Sequence, residues 1–499
     1  MHLRSLTLIL FILTATLNVL SQTSPAAVAP AGVPVKAEDC GCEQRLPEVL
    51  ATVNGAKLTK LDISHAIESR IKEFYEDVID ARRREVDLQI NAVLLDAEAK
   101  RQGSSTLSLL DREVTSKVVT PTDAAAEAFF EKNKNQIPGE FKDVKDDVIV
   151  YLREERQQEA AKKLADRLRT TAQLQIAPGP ATAPTTEQER SRVFATVNGK
   201  RITSGDVEDS LRALIFEIQG AVFKLRKHEL DLRINDLLLT QEAQKRGVTK
   251  ASLLDAELTA KQPKITDADA EKLYAQNLGK IKKQYAEVKD QIIQRLREEA
   301  AHKAETALVE KLRAGAQVQM FLTEPEPPTY TIAVDDQPMK GNPNATVTIV
   351  VFSDFQCPSC SQQHPIIERL IAEYGNRVRF VMRDFPLSQH KQALKAAAAA
   401  EAAREQGKFW EYAHLLFHHQ SALQVENLKA YASELSLDRA KFDAALESEA
   451  IKEQVQRDIV DGERIGVAAT PTTFINGKEV LNRSYEGLKS ALETSLKGS

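Results

Sequence analysis

The feature that most constrains the fold of this 499-residue chain is an internal duplication. Residue i aligns with residue i + 144 without a gap, so that Ala51 falls on Ala195 and Ala172 falls on Ala316. Identical runs recur along this alignment, including Leu152-Arg153-Glu154-Glu155 on Leu296-Arg297-Glu298-Glu299. Self-similarity of this length indicates two copies of one structural unit. We therefore predict two repeats, residues 47–176 and 191–322.

Each copy is predicted to be a short hairpin followed by helices. A Val-Asn-Gly turn opens both copies, at Asn54-Gly55 in the first, and Asn-Gly is a strong hairpin signal. Gly103 stands where a helix commonly ends in a left-handed glycine. Thr122 and Thr266 are expected to cap helices, since threonine oxygens accept hydrogen bonds from free N–H groups. Long charged amphipathic helices are expected around Val144–Leu168 and Val288–Leu312.

The rest of the chain is divided by proline and by an apolar N-terminus. Proline-rich segments 177–190 and 323–331 are predicted to be extended linkers, because proline cannot continue a helix. Arg4 precedes an apolar run from Leu6 to Leu20, which is typical of a secretory signal peptide over residues 1–21. Residues 22–46 are then a flexible segment and residues 332–499 a third domain. We expect a periplasmic or other extracytoplasmic protein without a membrane span after cleavage.

Composition excludes some classes of function. The formal net charge is −5, and 28% of residues are charged while 5% are aromatic. A nucleic-acid-binding protein needs a basic face, so we expect no nucleic-acid partner. Many charges and few aromatics favour long amphipathic helices.

The third block has the pattern of an α/β domain. Strands are predicted at Thr346–Phe352 and Arg379–Met382 and through Thr470–Ile475, where the chain turns at Asn476-Gly477. Between the second and third strands lie helical segments at Ala393–Arg404 and Phe409–His418, continuing to about Ile459. The fold class is therefore multi-domain: two mainly helical repeats followed by an α/β domain with a helical insertion.

The sequence Cys357-Pro358-Ser359-Cys360 lies between the first strand and a helix through Ile366–Tyr374. Free N–H groups at a helix N-terminus favour a thiolate on the first sulfur, and Pro358 costs nothing in the first turn. We predict that Cys357 is the exposed nucleophile with a low pKa and that Cys360 is the buried resolving thiol. Together with the Pro358-Ser359 dipeptide, they form the candidate catalytic site.

Other interpretations of the cysteines and histidines stay open. A lone CxxC is also half of a zinc site, but no second CxxC or close histidine pair accompanies it, so we predict no metal and no cofactor. His364, His414, His418 and His419 are interpreted as helix-surface residues. Cys40-Gly41-Cys42 could relay electrons to Cys357, pair between chains or bind metal weakly. It is included as an accessory redox candidate, on a segment expected to swing. Asp354 is either a proton-transfer group near Cys360 or an ordinary carboxylate at a strand end.

From Gly341 to about Leu496 the chain resembles the DsbA-like thioredoxin family, particularly the branch that includes BdbD. The motifs that carry this resemblance are Phe352-Ser353-Asp354-Phe355-Gln356-Cys357-Pro358-Ser359-Cys360, Arg383-Asp384-Phe385-Pro386-Leu387, Gly407-Lys408-Phe409-Trp410 and Gly466-Val467-Ala468-Ala469-Thr470-Pro471-Thr472. The resemblance implies a thioredoxin fold and a cis peptide bond at Thr470-Pro471 facing the CxxC. Thr470 and Pro471 would there bind an extended substrate strand.

The two repeats resemble the helical chaperone region of SurA and its relatives. The carrying residues are Ala51-Thr52-Val53-Asn54-Gly55 with Thr59 and Asp62, Leu94-Leu95 through Glu98-Ala99 to Gly103, and Thr122-Asp123. Between Leu110 and Thr122 there is no room for a parvulin domain, so the resemblance implies chaperone-like binding without prolyl isomerase activity. A pair of spacer or dimerisation domains is the alternative.

Two functions follow from these patterns. The first is an extracytoplasmic thiol-disulfide oxidoreductase that forms or exchanges disulfides in secreted proteins, with repeats that bind unfolded clients. Its partners would be reduced or unfolded secreted proteins and a redox partner that the sequence does not identify. The second is a periplasmic holdase chaperone or scaffold in which the thioredoxin-like domain is ancillary.

Overall fold

The computed structural model describes residues 40–42, 46–259, 265–279, 281, 283–334 and 336–498. It is 62% helical. The chain divides into two compact units. Of the described residues, the first unit comprises those within Met1–Cys42, Tyr75–Glu217 and Glu326–Ser499, and the second comprises those within Glu43–Phe74 and Ile218–Pro325. The predicted signal peptide, residues 1–21, lies outside the described residues.

The repeat region is built from long helices and short strands. Its strands are β1 (Val49–Val53), β2 (Ala56–Thr59), β3 (Leu174–Ile176), β4 (Val193–Val197), β5 (Lys200–Thr203) and β6 (Val318–Met320). Its helices are α1 (His65–Arg101), α2 (Thr106–Glu113), α3 (Asp123–Asn133), α4 (Phe141–Thr171), α5 (Glu187–Arg190), α6 (Ser204–Lys245), α7 (Lys250–Leu254), α8 (Asp267–Gln276) and α9 (Tyr285–Ala314). Short 3-10 turns occupy Lys60–Asp62 and Thr115–Lys117, and a π-helical turn occupies Asp255–Thr259.

The small sheet of the second unit joins the start of one copy to the end of the other. Its strand order is β2-β1-β6, so the first hairpin of the chain pairs with the last strand of the second copy. The backbone N–H of Asn54 donates to the carbonyl oxygen of Gln317 at 2.9 Å. The sheet that begins with the hairpin of the first copy is therefore completed by a strand of the second copy.

The small sheet of the first unit repeats this arrangement with the copies reversed. Its order is β3-β4-β5, so the last strand of the first copy pairs with the first hairpin of the second. The backbone N–H of Asn198 donates to the carbonyl oxygen of Gln173 at 2.8 Å, which is the contact of Asn54 with Gln317 with the two copies interchanged. The two copies have thus exchanged their terminal strands.

A half-buried arginine contact is also present twice. In the first unit, Arg169 donates to the side-chain oxygen of Asn91 at 2.8 Å and to Asp87. In the second unit, Arg313 makes the equivalent bond to Asn235, also at 2.8 Å, and contacts Asp231. The same side chains make the same bonds at the same offset, so the duplication in sequence is a duplication in structure.

The predicted local signals of the repeats are present. Asn54 and Gly55 have φ angles of 51° and 85°, as an Asn-Gly hairpin turn requires. The Thr122 side chain accepts from the N–H of Ala125, and Thr266 forms a capping box. The long charged helices exist but extend beyond their predicted ends.

The segment 177–190 differs from the extended spacer expected of it. It contains the short helix Glu187–Arg190, and Ala183 is buried. The compact units also divide the chain differently from the sequence repeats. The predicted domain boundaries at 47–176, 191–322 and 332–499 remain predictions. No helix in the described part of the chain combines the length and apolar character that crossing a membrane requires.

The C-terminal region is an α/β domain with a five-stranded sheet. Its strands are β7 (Met339–Gly341), β8 (Val347–Ser353), β9 (Val378–Asp384), β10 (Thr472–Ile475) and β11 (Lys478–Glu479). Its helices are α10 (Pro358–Tyr374), α11 (Ala393–Arg404), α12 (Phe409–His418), α13 (Val425–Glu434), α14 (Arg439–Leu446), α15 (Glu449–Arg464) and α16 (Tyr485–Lys497). The strand order is β11-β10-β8-β9-β7.

Helices cover both faces of this sheet, which explains its continuous apolar strands. Strands β8 and β9 are parallel, and α10 connects them. Helices α10 and α16 pack through Leu370 and Leu488 on one face. The helical insertion packs on the other, where Ala396 to Ala403 of α11 is almost fully buried. The predicted α/β class is confirmed, whereas edge strand β7 was not predicted.

Candidate active site

The CxxC sequence lies at the junction of the central strand and helix α10. Strand β8 ends at Ser353, and Cys357 is the N-cap residue of α10 with extended backbone angles. Pro358 occupies the first helical position, where its missing N–H loses no intrahelical bond. The backbone N–H groups of Cys360 and Ser361 both point to the Cys357 carbonyl, at 3.1 and 3.2 Å. The predicted position of the pair at a helix N-terminus is therefore correct.

The loop before β10 faces the cysteines. The Thr470-Pro471 peptide bond is cis, as the family resemblance implies. The Cys357 thiol donates to the carbonyl oxygen of Thr470 at 3.4 Å. The backbone N–H of Asp354 donates to the Cys360 sulfur, also at 3.4 Å. The fold thus brings together Cys357, Cys360 and the Thr470-Pro471 loop.

The two sulfurs differ in their electrostatic surroundings. Hydrogen bonding from the Cys360 side chain, followed by Thr470 and the N–H groups of Cys360 and Ser359, lowers the pKa of Cys357 to about 5. Burial opposes this shift. Burial is instead the main cause that raises the pKa of Cys360, and hydrogen bonding to Cys357 raises it further. At neutral pH Cys357 is a thiolate and Cys360 a thiol.

The predicted exposure of Cys357 is wrong in degree. Both cysteines are reduced and buried, with Cys357 at 6% and Cys360 at 2% exposure. Cys357 is covered because its sulfur lies under the Thr470 carbonyl. Pro358 and Ser359 are exposed, so the surface next to the sulfur is formed by the dipeptide.

The side chains of Asp354, His390 and Gln420 hold the segment between the end of β8 and the start of α10. The sequence analysis identified only Asp354. The buried carboxylate of Asp354 accepts from the N–H groups of Gln356 and Leu387 and contacts His390 Nδ1 at 2.6 Å. Gln420 donates to the carbonyl oxygens of Phe355 and Cys357, at 2.9 and 2.8 Å. Asp354 therefore accepts hydrogen bonds from backbone N–H groups, which fits the interpretation as an ordinary carboxylate at a strand end. No local pattern marks His390 or Gln420, since each reaches the loop from a distant part of the chain.

The Arg383-Asp384 motif forms a buried charged cluster behind the loop. Arg383 pairs with Asp458 and Asp461, at 2.8 Å in each case. Asp384 is fully buried, and its carboxylate oxygens have no hydrogen-bond partner among the described residues. Burial raises the pKa of Asp384 well above its usual value. It also raises the pKa of Glu401 to about 7. Their surroundings therefore favour the protonated form of both carboxyls.

The second cysteine pair forms a disulfide between Cys40 and Cys42. Both side chains are buried, and the Cys40 carbonyl accepts from Arg82 at 2.8 Å. Gly41 has a φ of 69°, and a Cβ atom there would overlap that of Ala183. The expectation that this segment swings freely is therefore wrong for residues 40–42, which are packed. The contacts described for this segment are with Arg82 and Ala183.

The histidines predicted to be on helix surfaces divide into two groups. The side chains of His414, His418 and His419 are exposed. His364 is different: its side chain is only 10% exposed, and it lines a small cavity with Cys360 and Trp410. The prediction that His364 lies on the helix surface is therefore wrong. The cause is that helix α12 packs over this part of α10.

Comparison with known proteins agrees with this geometry. Residues 333–494 match a family model described as thioredoxin. The C-terminal domain is thus a thioredoxin-like domain, and its structural neighbours are DsbA-like thiol-disulfide oxidoreductases. They include oxidised BdbD from Bacillus subtilis, with 25% identity, a TM-score of 0.32 and coverage of 35% of this chain and 100% of that chain. Another is α-DsbA2 from Wolbachia pipientis, with 23% identity, a TM-score of 0.30 and coverage of 32% and 89%.

Curated relatives match over a similar length. The Na(+)/H(+) antiporter NhaA 1 of Mycolicibacterium gilvum is 36% identical over 165 residues, which are 32% of this chain and 27% of the relative. NhaA of Herminiimonas arsenicoxydans is 38% identical over 162 residues, or 32% and 26%. The chain therefore spans about a quarter of the length of these relatives. The family match covers nearly all of the C-terminal domain and agrees with its observed thioredoxin-like fold.

Proposed function

We propose that this protein is an extracytoplasmic thiol-disulfide oxidoreductase that forms or exchanges disulfides in secreted client proteins. The observation that carries the proposal is the contrast between Cys357 and Cys360. One sulfur is a thiolate at a helix N-terminus and the other is a buried thiol 3 residues further on. A structural disulfide does not require its two cysteines to differ in pKa. Stepwise thiol exchange does, because one sulfur must react as a thiolate and the other must resolve the mixed disulfide.

The reaction in the oxidising direction balances within the enzyme and its client. A client thiolate attacks Cys357 of the Cys357–Cys360 disulfide, which gives a mixed disulfide and releases the Cys360 sulfur. A second client thiolate then attacks the client sulfur of the mixed disulfide. The client disulfide forms and Cys357 leaves as a thiolate, so two electrons pass to the enzyme. A low pKa makes Cys357 a good leaving group in that second step.

The Thr470-Pro471 loop is proposed to bind the client backbone. Extended segments bind such a loop through main-chain hydrogen bonds. Thr470 lies against Cys357, since its carbonyl oxygen is 3.4 Å from the Cys357 sulfur. A client segment placed there would put its cysteine beside the Cys357 sulfur. This arrangement supports Thr470 and Pro471 as substrate-binding residues.

The repeats are proposed to hold unfolded clients, in keeping with their resemblance to SurA. A groove of about 650 Å³ lies within the second unit, between α6 and α9. Leu238, Leu308 and Leu312 line it together with Lys245 and Lys311. Apolar side chains beside flexible charged ones suit an extended unfolded segment, which presents both apolar side chains and free carbonyls. A bound client would meet the oxidoreductase at raised effective concentration.

The location and the second cysteine pair belong to the same proposal. The apolar N-terminus supports export, after which an external redox partner must reoxidise Cys357 and Cys360. Cys40 and Cys42 are an accessory redox candidate, since they already form a disulfide. Because both are buried, an exchange role requires residues 40–42 to leave their packed position.

The test is disulfide exchange by the full-length chain. Oxidised protein is mixed with a reduced, unfolded client, and client thiols are counted after an acid quench. Wild type is expected to oxidise the client stoichiometrically in a single turnover, and Cys357→Ser is expected to lose that activity entirely. Unchanged client oxidation by Cys357→Ser would refute the proposal.

The holdase alternative predicts a different pattern, and the groove is the observation that favours it. A holdase should suppress client aggregation equally well in wild type and Cys357→Ser, without client oxidation by either protein. Measuring aggregation and thiol loss in the same samples therefore separates the two functions.

A further inference from the structure

Three side chains on helices α10 and α12 converge outside the proposed redox site. The Nε2 atom of His364 lies 3.4 Å from a carboxylate oxygen of Glu368, one helical turn further along α10. The Nδ1 atom of His414, on α12, lies 3.5 Å from the same oxygen. All three atoms lie within 4.8 Å of one another.

The two separations from the Glu368 oxygen to the histidine nitrogens match those of atoms that share one metal ion. Zinc binds histidine nitrogens and carboxylate oxygens at about 2.0–2.2 Å, and two ligands of one tetrahedral ion are then about 3.4 Å apart. Two histidines and a glutamate are also a common zinc-binding set. Both the identity and the spacing of the atoms therefore fit a divalent transition metal.

A second observation comes from the burial of His364. Its side chain is 90% buried, since its exposure is 10%, and its Nε2 atom makes no hydrogen bond to any residue that the structure describes. A buried polar atom without a partner carries a free-energy cost, which a metal ion would remove.

We propose that His364, Glu368 and His414 bind a divalent transition metal ion such as Zn²⁺. The ion cross-links α10, which carries the reactive cysteines at its start, to α12 of the helical insertion. Glu368 and His414 are partly exposed, so the ion can enter from solvent and keep a water ligand. The proposal does not depend on disulfide exchange, because neither cysteine is a ligand.

Other polar side chains lie near the site. His418 follows His414 by one turn, with ring centroids 4.3 Å apart, and the Lys340 ammonium lies 5.1 Å from the ring of Trp410. The carboxylate of Glu368 is the compensating negative charge within the ligand set. Glu368→Gln removes this negative charge and keeps the size of the side chain, so it should be the most informative substitution.

The test is Zn²⁺ titration of the full-length, tag-free chain by calorimetry, with Cys357 and Cys360 oxidised so that no thiolate competes. One bound Zn²⁺ per chain is expected. Glu368→Gln and His414→Gln should each weaken the affinity at least tenfold, since each removes one of three protein ligands. Both positions are partly exposed, so the substitutions should leave the fold intact. Fluorescence of Trp410, the single tryptophan of the chain, verifies that the domain of each variant is folded.

The matched control is His419→Gln, because His419 follows His418 directly but stacks on Tyr431 at 5.3 Å. This variant should bind Zn²⁺ as wild type does, and so should a Cys357→Ser/Cys360→Ser double variant. No stoichiometric binding would overturn the proposal. So would binding that survives both Glu368→Gln and His414→Gln, or binding that is lost in the cysteine variant.

Discussion

The thiol of Cys357 donates a hydrogen bond to the carbonyl oxygen of Thr470, a residue 113 positions later in the chain. This contact places the proposed nucleophile against the loop that is proposed to bind clients. While it is protonated, the reactive sulfur is thus held by a backbone carbonyl next to the expected path of the client. A client that arrives at Thr470 would disturb the contact and expose the sulfur.

The unequal sulfurs predict opposite behaviour for the two cysteine variants. Cys360→Ser should accumulate mixed disulfides with clients, because its activated Cys357 thiolate has no resolving partner. Cys357→Ser should accumulate none, since the remaining thiol is buried and its pKa is raised. Acid quenching followed by non-reducing electrophoresis measures both. If Cys357→Ser were the variant that trapped clients, the assignment of roles would be reversed.

The low pKa of Cys357 predicts the pH dependence of its reactivity. Alkylation of the reduced protein by iodoacetamide should be half-maximal near pH 5, and the fast phase should vanish in Cys357→Ser. The folded pKa lies below the ordinary value of 9.0. The stability that the thiolate gives the reduced form is therefore complete above about pH 9 and is lost as the pH falls through 5. A midpoint near 9 would contradict this picture.

The groove in the second unit predicts a client-selective defect. Ala307 is an exposed residue of α9 that lines the groove, so Ala307→Glu should slow oxidation of a large unfolded client several-fold. Oxidation of a short dithiol peptide should be unchanged, because that peptide reaches Cys357 without the groove. Thr306→Glu is the matched control, one position away on the same helix and outside the groove. Equal rates for all three proteins on both substrates would leave the groove without a role in client binding.

The buried carboxyl of Glu401 predicts that stability falls as pH rises. Burial is the main cause that raises its pKa to about 7 in the folded chain, from 4.5. The protonated form is therefore favoured by folding, and its contribution is lost as the pH rises through 7. Glu401→Gln should match wild type at pH 5 and be more stable at pH 8, by on the order of 3 kcal/mol.

The measurement for Glu401 is denaturant unfolding followed by Trp410 fluorescence, which reports on the C-terminal domain. Glu405→Gln is the control, because Glu405 lies at the end of the same helix but is exposed. Parallel pH profiles for wild type and Glu401→Gln would show that Glu401 does not titrate in this range.

The local structure of the C-terminal domain was predictable because its signals are local. The apolar run before Cys357 forms β8, and the helices at Ala393–Arg404 and Phe409–His418 have the bounds that were predicted. The site was predictable in its two cysteines for the same reason. Gln420 and His390 were not, since nothing near them in sequence shows that they contact the active-site loop. The burial of His364 also depends on the packing of a distant helix.

The repeats show the same limit at the level of the sheet. The Asn-Gly turns predict the hairpins, but the partner of each hairpin comes from the other copy. Ala51 pairs with Met320, and no pattern around either residue specifies this register. Strands of three residues such as β3 and β6 are too short to carry a period.

The exchange of terminal strands has a consequence for biosynthesis. The hairpin of β1 and β2 ends at Thr59, while its partner β6 ends only at Met320. Until that point has been synthesised, one edge of β1 stays unpaired, and unpaired strand edges invite association with other chains. Newly made chains would benefit from keeping this hairpin apart from its neighbours until β6 is available. The first unit needs no such delay for its own small sheet, because β3, β4 and β5 emerge within 30 residues of one another.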